Sequence, residues 1–265
     1  MELTIVGCTG SFPGPDSPAS CYLLTADDAD GRTWRILLDL GNGALGYLQR
    51  HIDLTQIDAV LLTHLHADHC LDMCGLHVAM KWCPAGWPKG RIPVFCPGST
   101  NTRMALAYGL DPDPGMTGEF DFTDWQEEQP VRIGPFTATP YAANHPVDQA
   151  FALRLETTEG TGDGGTRSSV LTYSGDTDSC PGLVEAAGGA DVFLCEAAFH
   201  EGRDEVRNVH LTGRRAGEAA AEAGAAKLLL THLPVWNDPQ RALAEAREVF
   251  SGELDVVAPG ASYVI

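Results

Sequence analysis

The sequence predicts an α/β fold in which two β-sheets pack face to face and carry helices on their outer sides. Two observations support this prediction: β-rich runs alternate with helical patterns, and this alternation occurs in two similar halves. Because sheets and helices must each bury an apolar face, such an order of elements favours a layered sandwich. The length of 265 residues is ordinary for a large sheet-based domain. We therefore expect residues 1–265 to form a single domain.

The first half begins with β-rich runs and reaches a histidine cluster through an apolar strand. Predicted strands, bounded by polar or Gly/Pro-rich loops, are LTIVG, CYLLT, WRILLDLG, DAVLLTH and IPVFCP. Helical spacing of apolar residues predicts helices within GALGYLQRHI, HCLDMCGLHVAMKW and STNTRMALAYG. A stretch rich in Gly, Pro and acidic residues, 111–119, follows the last of these helices.

The second half repeats the alternation of strands and helices. Predicted strands lie in VRIGPFTATPYAA, AFALRLET, SSVLTYSGDT, DVFLCEAAF, KLLLTHL and LDVVAPGASYVI. The Gly-rich turn at 160–166 predicts a hairpin between the second and third of these runs. Helices are predicted in TGRRAGEAAAEAG and DPQRALAEAREVF.

The charge balance restricts the class of partner. The chain has 36 acidic and 17 basic residues, which gives a formal net charge of −19. A negative field disfavours a long polyanion, whose binding depends on neutralisation of phosphates by Lys and Arg, so we expect no large nucleic acid as partner. Four arginines come nearest to a basic patch, and we interpret them as a solvated loop and helix face: Arg203, Arg207, Arg214 and Arg215.

Other features of the composition favour a cytoplasmic protein that does not bind membranes. No apolar run approaches the roughly 18 residues of a membrane helix, and MELTIVGCTG has no basic region before its apolar stretch. The eight cysteines are scattered without the spacing of a disulfide scaffold, which indicates buried thiols in a reducing compartment. Cys70 and Cys74 are near the histidine cluster, but one such pair is weak evidence for metal binding, and we interpret both as packing residues.

The segment LTHLHADHC, residues 62–70, concentrates potential metal ligands: His64, His66, Asp68 and His69. In an extended segment His64 and His66 point to the same side, while Asp68 and His69 lie on the following turn. This arrangement fits two metal ions better than one. Imidazole and carboxylate ligands suit Zn²⁺, with Mn²⁺ or Fe²⁺ as alternatives.

Three further residues follow β-rich runs and would complete a metal shell: His145 in AANHP, Asp176 in YSGDT and His232 in LLLTHLP. A single histidine in such a place is more often a satisfied core or surface residue than a ligand. Together with the segment at 62–70 they make seven candidate ligands, and chance is then a poor explanation.

These motifs resemble the metallo-β-lactamase superfamily, whose HxHxDH signature has its counterpart in the histidine cluster, and the likeness extends along the chain in order. The resemblance implies an αββα sandwich of two mixed sheets with a dinuclear site at the edge between them. It assigns the ligands as follows: His64, His66 and His145 to one zinc, Asp68, His69 and His232 to the other, and Asp176 as the bridge. An aspartate bridge disfavours β-lactam hydrolysis, since true lactamases commonly have cysteine there.

Within the superfamily, SGDT, VFLCEAAF, HLTG and LLLTHLP resemble the tRNase Z group of zinc phosphodiesterases, which pairs an acidic residue after a strand with a histidine. Glu196 and His210 occupy those positions. By this resemblance, His210 would stabilise phosphoryl charge and protonate the leaving alkoxide, and Glu196 would keep it protonated. Asp68 would be a ligand that also orients the nucleophile. The simpler interpretation of His210 is a cap for the helix that starts near Thr212.

Three observations indicate a substrate smaller than tRNA. The Gly/Pro-rich arm with which tRNase Z clamps tRNA usually lies between the counterparts of His145 and Asp176, but here these residues are only 31 positions apart (176 − 145) and a hairpin fills the interval. The overall resemblance is strongest to actinobacterial cyclic-nucleotide phosphodiesterases, through GPDSPAS, LLTHLHADHCLD, YSGDT, DVFLCEA and HLTG. The acidic net charge points the same way.

We therefore expect a phosphodiesterase that converts a 3′,5′-cyclic nucleotide into the 5′-monophosphate, and the resemblance implies a homodimer. Two alternatives remain: a tRNA 3′-processing endonuclease, and a lactone or other ester hydrolase that uses the same metal site. Trp82, Trp87 and Trp236 are candidates for stacking on a base, although packing is the commoner role of such residues.

Overall fold

The computed structural model describes residues 1–160 and 166–265. The strands of this part of the chain are β1 (Glu2–Gly7), β2 (Cys21–Asp27), β3 (Thr33–Leu38), β4 (Ala59–Leu61), β5 (Ile92–Cys96), β6 (Phe120–Asp124), β7 (Val131–Ile133), β8 (Phe136–Ala142), β9 (Phe151–Gly160), β10 (Thr166–Tyr173), β11 (Val192–Glu196), β12 (Lys227–Thr231), β13 (Glu253–Val256) and β14 (Ser262–Val264). Its α-helices are α1 (Ala44–Leu48), α2 (Ala67–Cys70), α3 (Met73–Lys81), α4 (Thr100–Tyr108), α5 (Pro181–Ala187), α6 (Gly213–Ala223) and α7 (Pro239–Arg247).

The strands form two mixed sheets with the same internal plan. The first has the order β14-β1-β2-β3-β4-β5-β6, and the second has the order β13-β12-β11-β10-β9-β8-β7. In the first, the pairs from β14 to β3 are antiparallel and those from β3 to β6 are parallel. In the second, the pairs from β7 to β10 are antiparallel and those from β10 to β13 are parallel. The two halves of the sequence thus build two equivalent sheets, as predicted.

Three apolar layers hold this sandwich together. The central layer lies between the sheets and joins residues such as Ile5 and Ile36 of the first sheet to Phe136 and Leu194 of the second. A second layer packs α1, α3 and α4 onto the outer face of the first sheet. A third packs the alanine-rich helices α5, α6 and α7 onto the outer face of the second. The order helix, sheet, sheet, helix confirms the predicted αββα architecture.

Some elements differ from the sequence-based expectation. The helix expected in HCLDMCGLHVAMKW divides into α2 and α3, so that Asp68 and His69 lie in a helical turn of their own. The run VRIGPFTATPYAA forms a hairpin of two strands around Gly134, whose φ of 56° suits a turn. β6 and α5 were not predicted. The expected hairpin of β9 and β10 is present, but the Gly-rich turn falls on residues 161–165, outside the described residues.

None of the helices in the described ranges combines the length and the apolar character that crossing a bilayer would require. All eight cysteines are free thiols, and the sulfurs of Cys70 and Cys74 belong to the apolar layer beneath the first sheet. Their interpretation as packing residues agrees with this placement.

Candidate metal centre

The predicted ligands follow strands whose carboxyl ends meet at one edge of the sandwich. The segment after β4 carries His64 and His66 and then enters α2 with Asp68 and His69. In the second sheet β8, β10 and β12 run in the same direction, because β9 is antiparallel to both β8 and β10 and because β10 to β12 are parallel. Their ends deliver the remaining three residues: His145, Asp176 and His232.

One group of ligand atoms comprises the side chains of His64, His66, His145 and Asp176, all within 4.8 Å of one another. His66 Nδ1 lies 3.0 Å from His64 Nε2 and 3.1 Å from His145 Nε2. His64 Nε2 lies 3.8 Å from Asp176 Oδ2. Three imidazole nitrogens and one carboxylate oxygen therefore converge on one point, although their residues are up to 112 positions apart (176 − 64).

A second group comprises Asp68, His69, His232 and again Asp176, with the same 4.8 Å limit. The Nε2 atoms of His69 and His232 are 3.2 Å apart, and His232 Nε2 is 3.2 Å from Asp68 Oδ2. Asp176 belongs to both groups, Oδ2 towards His64 and Oδ1 towards His69 and His232. The structure thus gathers all seven predicted ligands in the arrangement that the resemblance implies.

The donor set fits metal ions. Asp176 Oδ1 is fully buried and lies 3.2 Å from His69 Nε2 and 3.3 Å from His232 Nε2, yet it accepts no well-aligned hydrogen bond from the residues that the structure describes. A buried carboxylate oxygen without a hydrogen bond is costly unless a cation or another partner compensates it. Nitrogen and carboxylate ligands of this kind are typical of zinc and related divalent metals. The chemistry of the cluster therefore fits a metal site.

The protonation states of the first group of ligands agree with this assignment. Burial lowers the pKa of His64, His66 and His145, which favours the neutral imidazole that binds metals. Burial alone would raise the pKa of Asp176, but the neighbouring histidines His232 and His69 lower it, so the carboxylate stays charged.

Three contacts outside the ligand set orient the rings. Asp39 Oδ2 lies 2.7 Å from His69 Nδ1, the hydroxyl of Thr63 lies 3.1 Å from His64 Nδ1, and His145 Nδ1 lies 2.7 Å from the carbonyl oxygen of Val209. Such contacts fix the ring nitrogen that is left for a metal. Sequence reasoning missed Asp39, although its place directly after β3 is the same signal that identified the ligands.

His210 and Glu196 form an ion pair at the rim of the centre. His210 Nδ1 lies 2.8 Å from Glu196 Oε1 and 3.9 Å from Asp176 Oδ2. Glu196 is fully buried and also accepts hydrogen bonds from the backbone N–H groups of Thr177 and Ala198. Burial would lower the pKa of His210, but the charge and hydrogen bond of Glu196, helped by Asp176, raise it to about 9.

The helix that follows His210 does not use this histidine as a cap. The N-cap of α6 is Thr212, whose side chain accepts a hydrogen bond from the backbone N–H of Arg215. The ligand atoms of Glu196, His210 and His232 lie within 4.8 Å of one another, which places the ion pair beside the second group. His210 therefore faces the metal centre.

Asp178 anchors the loop that carries His210. Its carboxylate accepts hydrogen bonds from the guanidinium groups of Arg207 and Arg215 and from the backbone N–H of Asn208. Arg215 is buried, so the interpretation of the arginines as a solvated face is wrong for this residue. Sequence reasoning also missed Asp178, which lies two positions after Asp176.

The tryptophans that were candidates for base stacking lie in different places. Trp82 is exposed at the end of α3, and Trp87 is partly buried against the helices of the first sheet. Trp236 is 60% exposed and packs against Phe12, with 5.3 Å between the ring centroids. Of the three, Trp236 is the one close in sequence to a ligand, His232.

Fold and site together define a metallo-hydrolase. Residues 34–233 match the family model described as the β-lactamase superfamily domain. The chain belongs to this superfamily.

Several relatives resemble the chain over almost its whole length. An uncharacterized protein of Mycobacterium leprae is 42% identical over 268 residues, covering 100% of this chain and 89% of the relative. The probable metallo-hydrolase YhfI of Bacillus subtilis is 30% identical and covers 98% of both chains. A ribonuclease Z of Myxococcus xanthus is 29% identical over 85% of this chain and 86% of its own.

Solved structures share the fold. The crystal structure of YhfI from Bacillus subtilis has a TM-score of 0.82 at 27% identity, covering 99% of this chain and 98% of that one. A diphosphatase of the PhnP family has a TM-score of 0.71 at 16% identity, covering 100% and 97%. At 16% identity, the similarity to the diphosphatase shows a shared fold alone.

Proposed function

We propose that the protein is a dinuclear metal-dependent phosphodiesterase that hydrolyses a small phosphodiester, with a 3′,5′-cyclic nucleotide as the preferred substrate and the 5′-monophosphate as the product. The observation that carries this proposal is the ion pair of His210 and Glu196 beside the cluster of seven ligands. A protonated imidazole next to a metal site serves the alkoxide leaving group of a phosphodiester.

The residues would hold two divalent ions, for which Zn²⁺ is the first candidate and Mn²⁺ or Fe²⁺ the alternatives. Metal ions bound there would supply the Lewis acidity that activates water near neutral pH and neutralises phosphoryl charge. Each of the two groups of ligand atoms would hold one ion, and Asp176 belongs to both groups. Asp68, which is slightly exposed, has a second role in orienting the attacking water through a carboxylate oxygen.

His210 acts on the leaving group. Its Nδ1 is engaged by Glu196, which leaves Nε2 as the ring atom that donates a proton. In the reaction the water oxygen bonds to phosphorus, the bond between phosphorus and the ribose 3′ oxygen breaks, and the Nε2 proton passes to that oxygen. The proton released by water restores the imidazolium. Glu196 acts through His210 by keeping this ring charged and oriented.

Several observations support a small substrate. The two arginines on the loop and helix that flank His210, Arg207 and Arg215, are already paired with Asp178, which reduces their capacity to bind a polyanion. The interval between His145 and Asp176 contains the β9–β10 hairpin in place of an RNA-clamping arm. The chain as a whole is strongly acidic. These features favour a nucleotide over an RNA.

The relatives support chemistry at phosphorus. They include a protein named ribonuclease Z, and this name denotes hydrolysis of phosphodiester linkages. The likeness to ribonuclease Z also keeps tRNA 3′ processing as the second candidate. A lactone or other ester hydrolase is the third, because it would use the same metal site without needing His210.

A substrate panel separates these candidates. Protein with its metal content determined is assayed with 3′,5′-cAMP, 3′,5′-cGMP, a 2′,3′-cyclic nucleotide, bis(p-nitrophenyl) phosphate, a precursor tRNA and a lactone. We expect the highest kcat/KM with a 3′,5′-cyclic nucleotide. A clear preference for precursor tRNA or for the lactone would overturn the proposal.

The variant His210→Ala tests the role of the ion pair. We expect kcat with the cyclic nucleotide to fall by about 10²- to 10⁴-fold, the usual contribution of a general acid, while the metal content stays unchanged. The matched control is His51→Ala, since His51 is an exposed histidine in the turn that follows α1. Undiminished turnover in His210→Ala would remove the proposed acid.

A further inference from the structure

A cleft of about 370 Å³ adjoins the candidate metal centre, and its walls come from three segments. Leu65 and the half-buried ligand His66 form the first wall. Residues of α4 and of the segment 97–99 that precedes it form the second wall, and Val147, Asp148 and Gln149 form the third. The first and third walls directly adjoin His66 and His145, ligands of the first group. The cleft is therefore continuous with the place where a phosphoryl group would bind.

Hydrogen bonds hold the walls of the cleft together. Gln149 Oε1 accepts a hydrogen bond of 2.6 Å from the backbone N–H of Gly98, which ties the third wall to the second. The backbone N–H of Val147 donates to the carbonyl of His145 at 2.8 Å, which holds the third wall to a metal ligand. The volume of the cleft lies in the range of about 300–1,000 Å³ that is typical of small-molecule sites.

The lining is apolar with a few convergent polar groups. Leu65, Leu106 and Val147 supply apolar surface, while Thr102 and Arg103 supply donors. Leu106 is 61% exposed, so its side chain is accessible to a molecule that enters the cleft. A flat organic group with hydrogen-bonding edges matches such a lining better than a bare anion does.

Arg103 is an exposed, positively charged residue of the cleft. Among the described residues it has neither an ion-pair partner nor a hydrogen bond from its guanidinium, although the chain carries 36 acidic residues. Most other arginines of the described ranges contact a carboxylate: Arg32, Arg91, Arg154, Arg203, Arg207, Arg214, Arg215 and Arg241. Asp148, on the opposite wall, does not reach it within ion-pair distance.

From this geometry we infer that the cleft binds the nucleoside part of the substrate and that Arg103 is a specificity-determining residue that contacts its base. A guanidinium both stacks on a planar ring and donates to ring nitrogens and carbonyl oxygens in one plane. Asp148, across the cleft, accepts from an exocyclic amino group. The inference rests on the proposed function, because it assumes that the phosphoryl group binds at the metal centre.

Three probes of increasing size test this assignment by calorimetric binding to the metal-loaded protein: inorganic phosphate, ribose 5-phosphate and 5′-AMP. In Arg103→Met we expect the Kd of 5′-AMP to rise about tenfold, the loss of one charge-assisted contact, with the other two affinities unchanged. Leu106→Trp places a larger side chain in the cleft. We expect it to weaken the binding of 5′-AMP and to leave the affinities for inorganic phosphate and ribose 5-phosphate unchanged. The control is Arg132→Met, an exposed arginine on β7 of the second sheet.

If Arg103→Met weakened the binding of all three probes equally, the inference would be overturned, because Arg103 would then contact the phosphate and not the base. Unchanged affinity for 5′-AMP in both cleft variants would also overturn it. Parallel assays of 3′,5′-cAMP and bis(p-nitrophenyl) phosphate with the wild-type protein report separately on the proposed function. If the wild type hydrolyses neither compound, the proposed function fails. If it hydrolyses them and the cleft variants bind 5′-AMP like the wild type, the assignment of the cleft alone fails.

Discussion

His69 and Asp39 make a short contact behind the candidate metal centre, with 2.7 Å between His69 Nδ1 and Asp39 Oδ2 and both side chains fully buried. The hydroxyls of Thr63 and Tyr173 donate to the same carboxylate. A carboxylate at Nδ1 holds the proton on that atom and leaves the lone pair on Nε2. Nε2 is the atom that faces Asp176, so Asp39 decides which side of the ring is ready for a metal.

Replacement of Asp39 by Asn is expected to weaken metal binding about 10- to 100-fold, the usual effect of losing such a supporting carboxylate. The amide is neutral and no longer fixes the proton on His69 Nδ1. Competition with a chromophoric chelator measures the affinity. Asp121→Asn is the matched control, because Asp121 is 62% exposed and lies on β6, away from the centre. Equal affinities of Asp39→Asn and wild type would contradict this role.

The fold could be predicted from sequence because most strands and helices carry their own apolar pattern. The exceptions are instructive. β6 reads FDFTD, and only its first residue is buried, so its alternation is weak. α5 reads PGLVEAA and is short, with Gly182 packed against the carbonyl of Ala142, which makes it dependent on tertiary contact. Elements that are fixed by their neighbours leave little local signal.

The candidate metal centre also has residues that could be predicted from the sequence and residues that could not. The seven ligands could be proposed because they are His or Asp at the ends of β-rich runs, and the structure brings them together. The supporting pairs could not, because they join distant residues of common types: Asp39 to His69 across 30 positions, and Asp178 to Arg215 across 37. Which carboxylate meets which ring or guanidinium depends on the packing of the two sheets, and this packing is absent from local sequence patterns.

Replacement of Glu196 by Gln is expected to move the alkaline limb of the pH profile to lower pH. Glu196 helps to raise the pKa of His210 to about 9, so the imidazolium persists well above neutrality, and removal of the negative charge lowers that pKa. We expect a shift of about one pH unit or more in the profile of kcat. Activity near pH 6 should therefore fall much less than activity near pH 8.5. A uniform loss at every pH would indicate a structural role alone.

Asp178 is expected to stabilise the fold through a buried ion pair with Arg215. The side chain of Asp178 is 1% exposed and that of Arg215 is 9% exposed. Asp178→Asn therefore removes the close counter-charge of a buried guanidinium, which keeps only a longer ion pair of 3.6 Å with the more exposed Glu201. We expect the free energy of unfolding to fall by about 3–5 kcal/mol in chemical denaturation. The control is Arg207→Gln, which removes a partner that is 59% exposed and should cost less than about 1 kcal/mol.

The ion pair of Asp178 and Arg215 also predicts how the stability of the protein changes at acidic pH. Burial alone would raise the pKa of Asp178, but the hydrogen bond from Arg207, other N–H donors and the charge of Arg215 lower it from its ordinary value of 3.8 to about 2. A carboxyl with a lowered folded-state pKa stabilises the protein above its unfolded pKa and loses this effect as the pH falls towards the folded value. The difference in stability between wild type and Asp178→Asn should therefore shrink between pH 4 and pH 2. A constant difference would contradict the assignment.

Gly10 permits the close approach of the first loop to the ligand His232, and Gly10→Ala should disturb the centre. A Cβ at position 10 would lie 2.2 Å from the carbonyl oxygen of His232 and 2.9 Å from its Nδ1. His232 already has a φ of 57°, so its backbone cannot move away without further strain. We expect a loss of about 1–3 kcal/mol in unfolding free energy and a lower metal affinity. Gly46→Ala on α1, where a Cβ meets open space, should leave metal affinity unchanged and raise stability by up to about 1 kcal/mol. Equal metal affinity in both variants would show that the loop does not constrain His232.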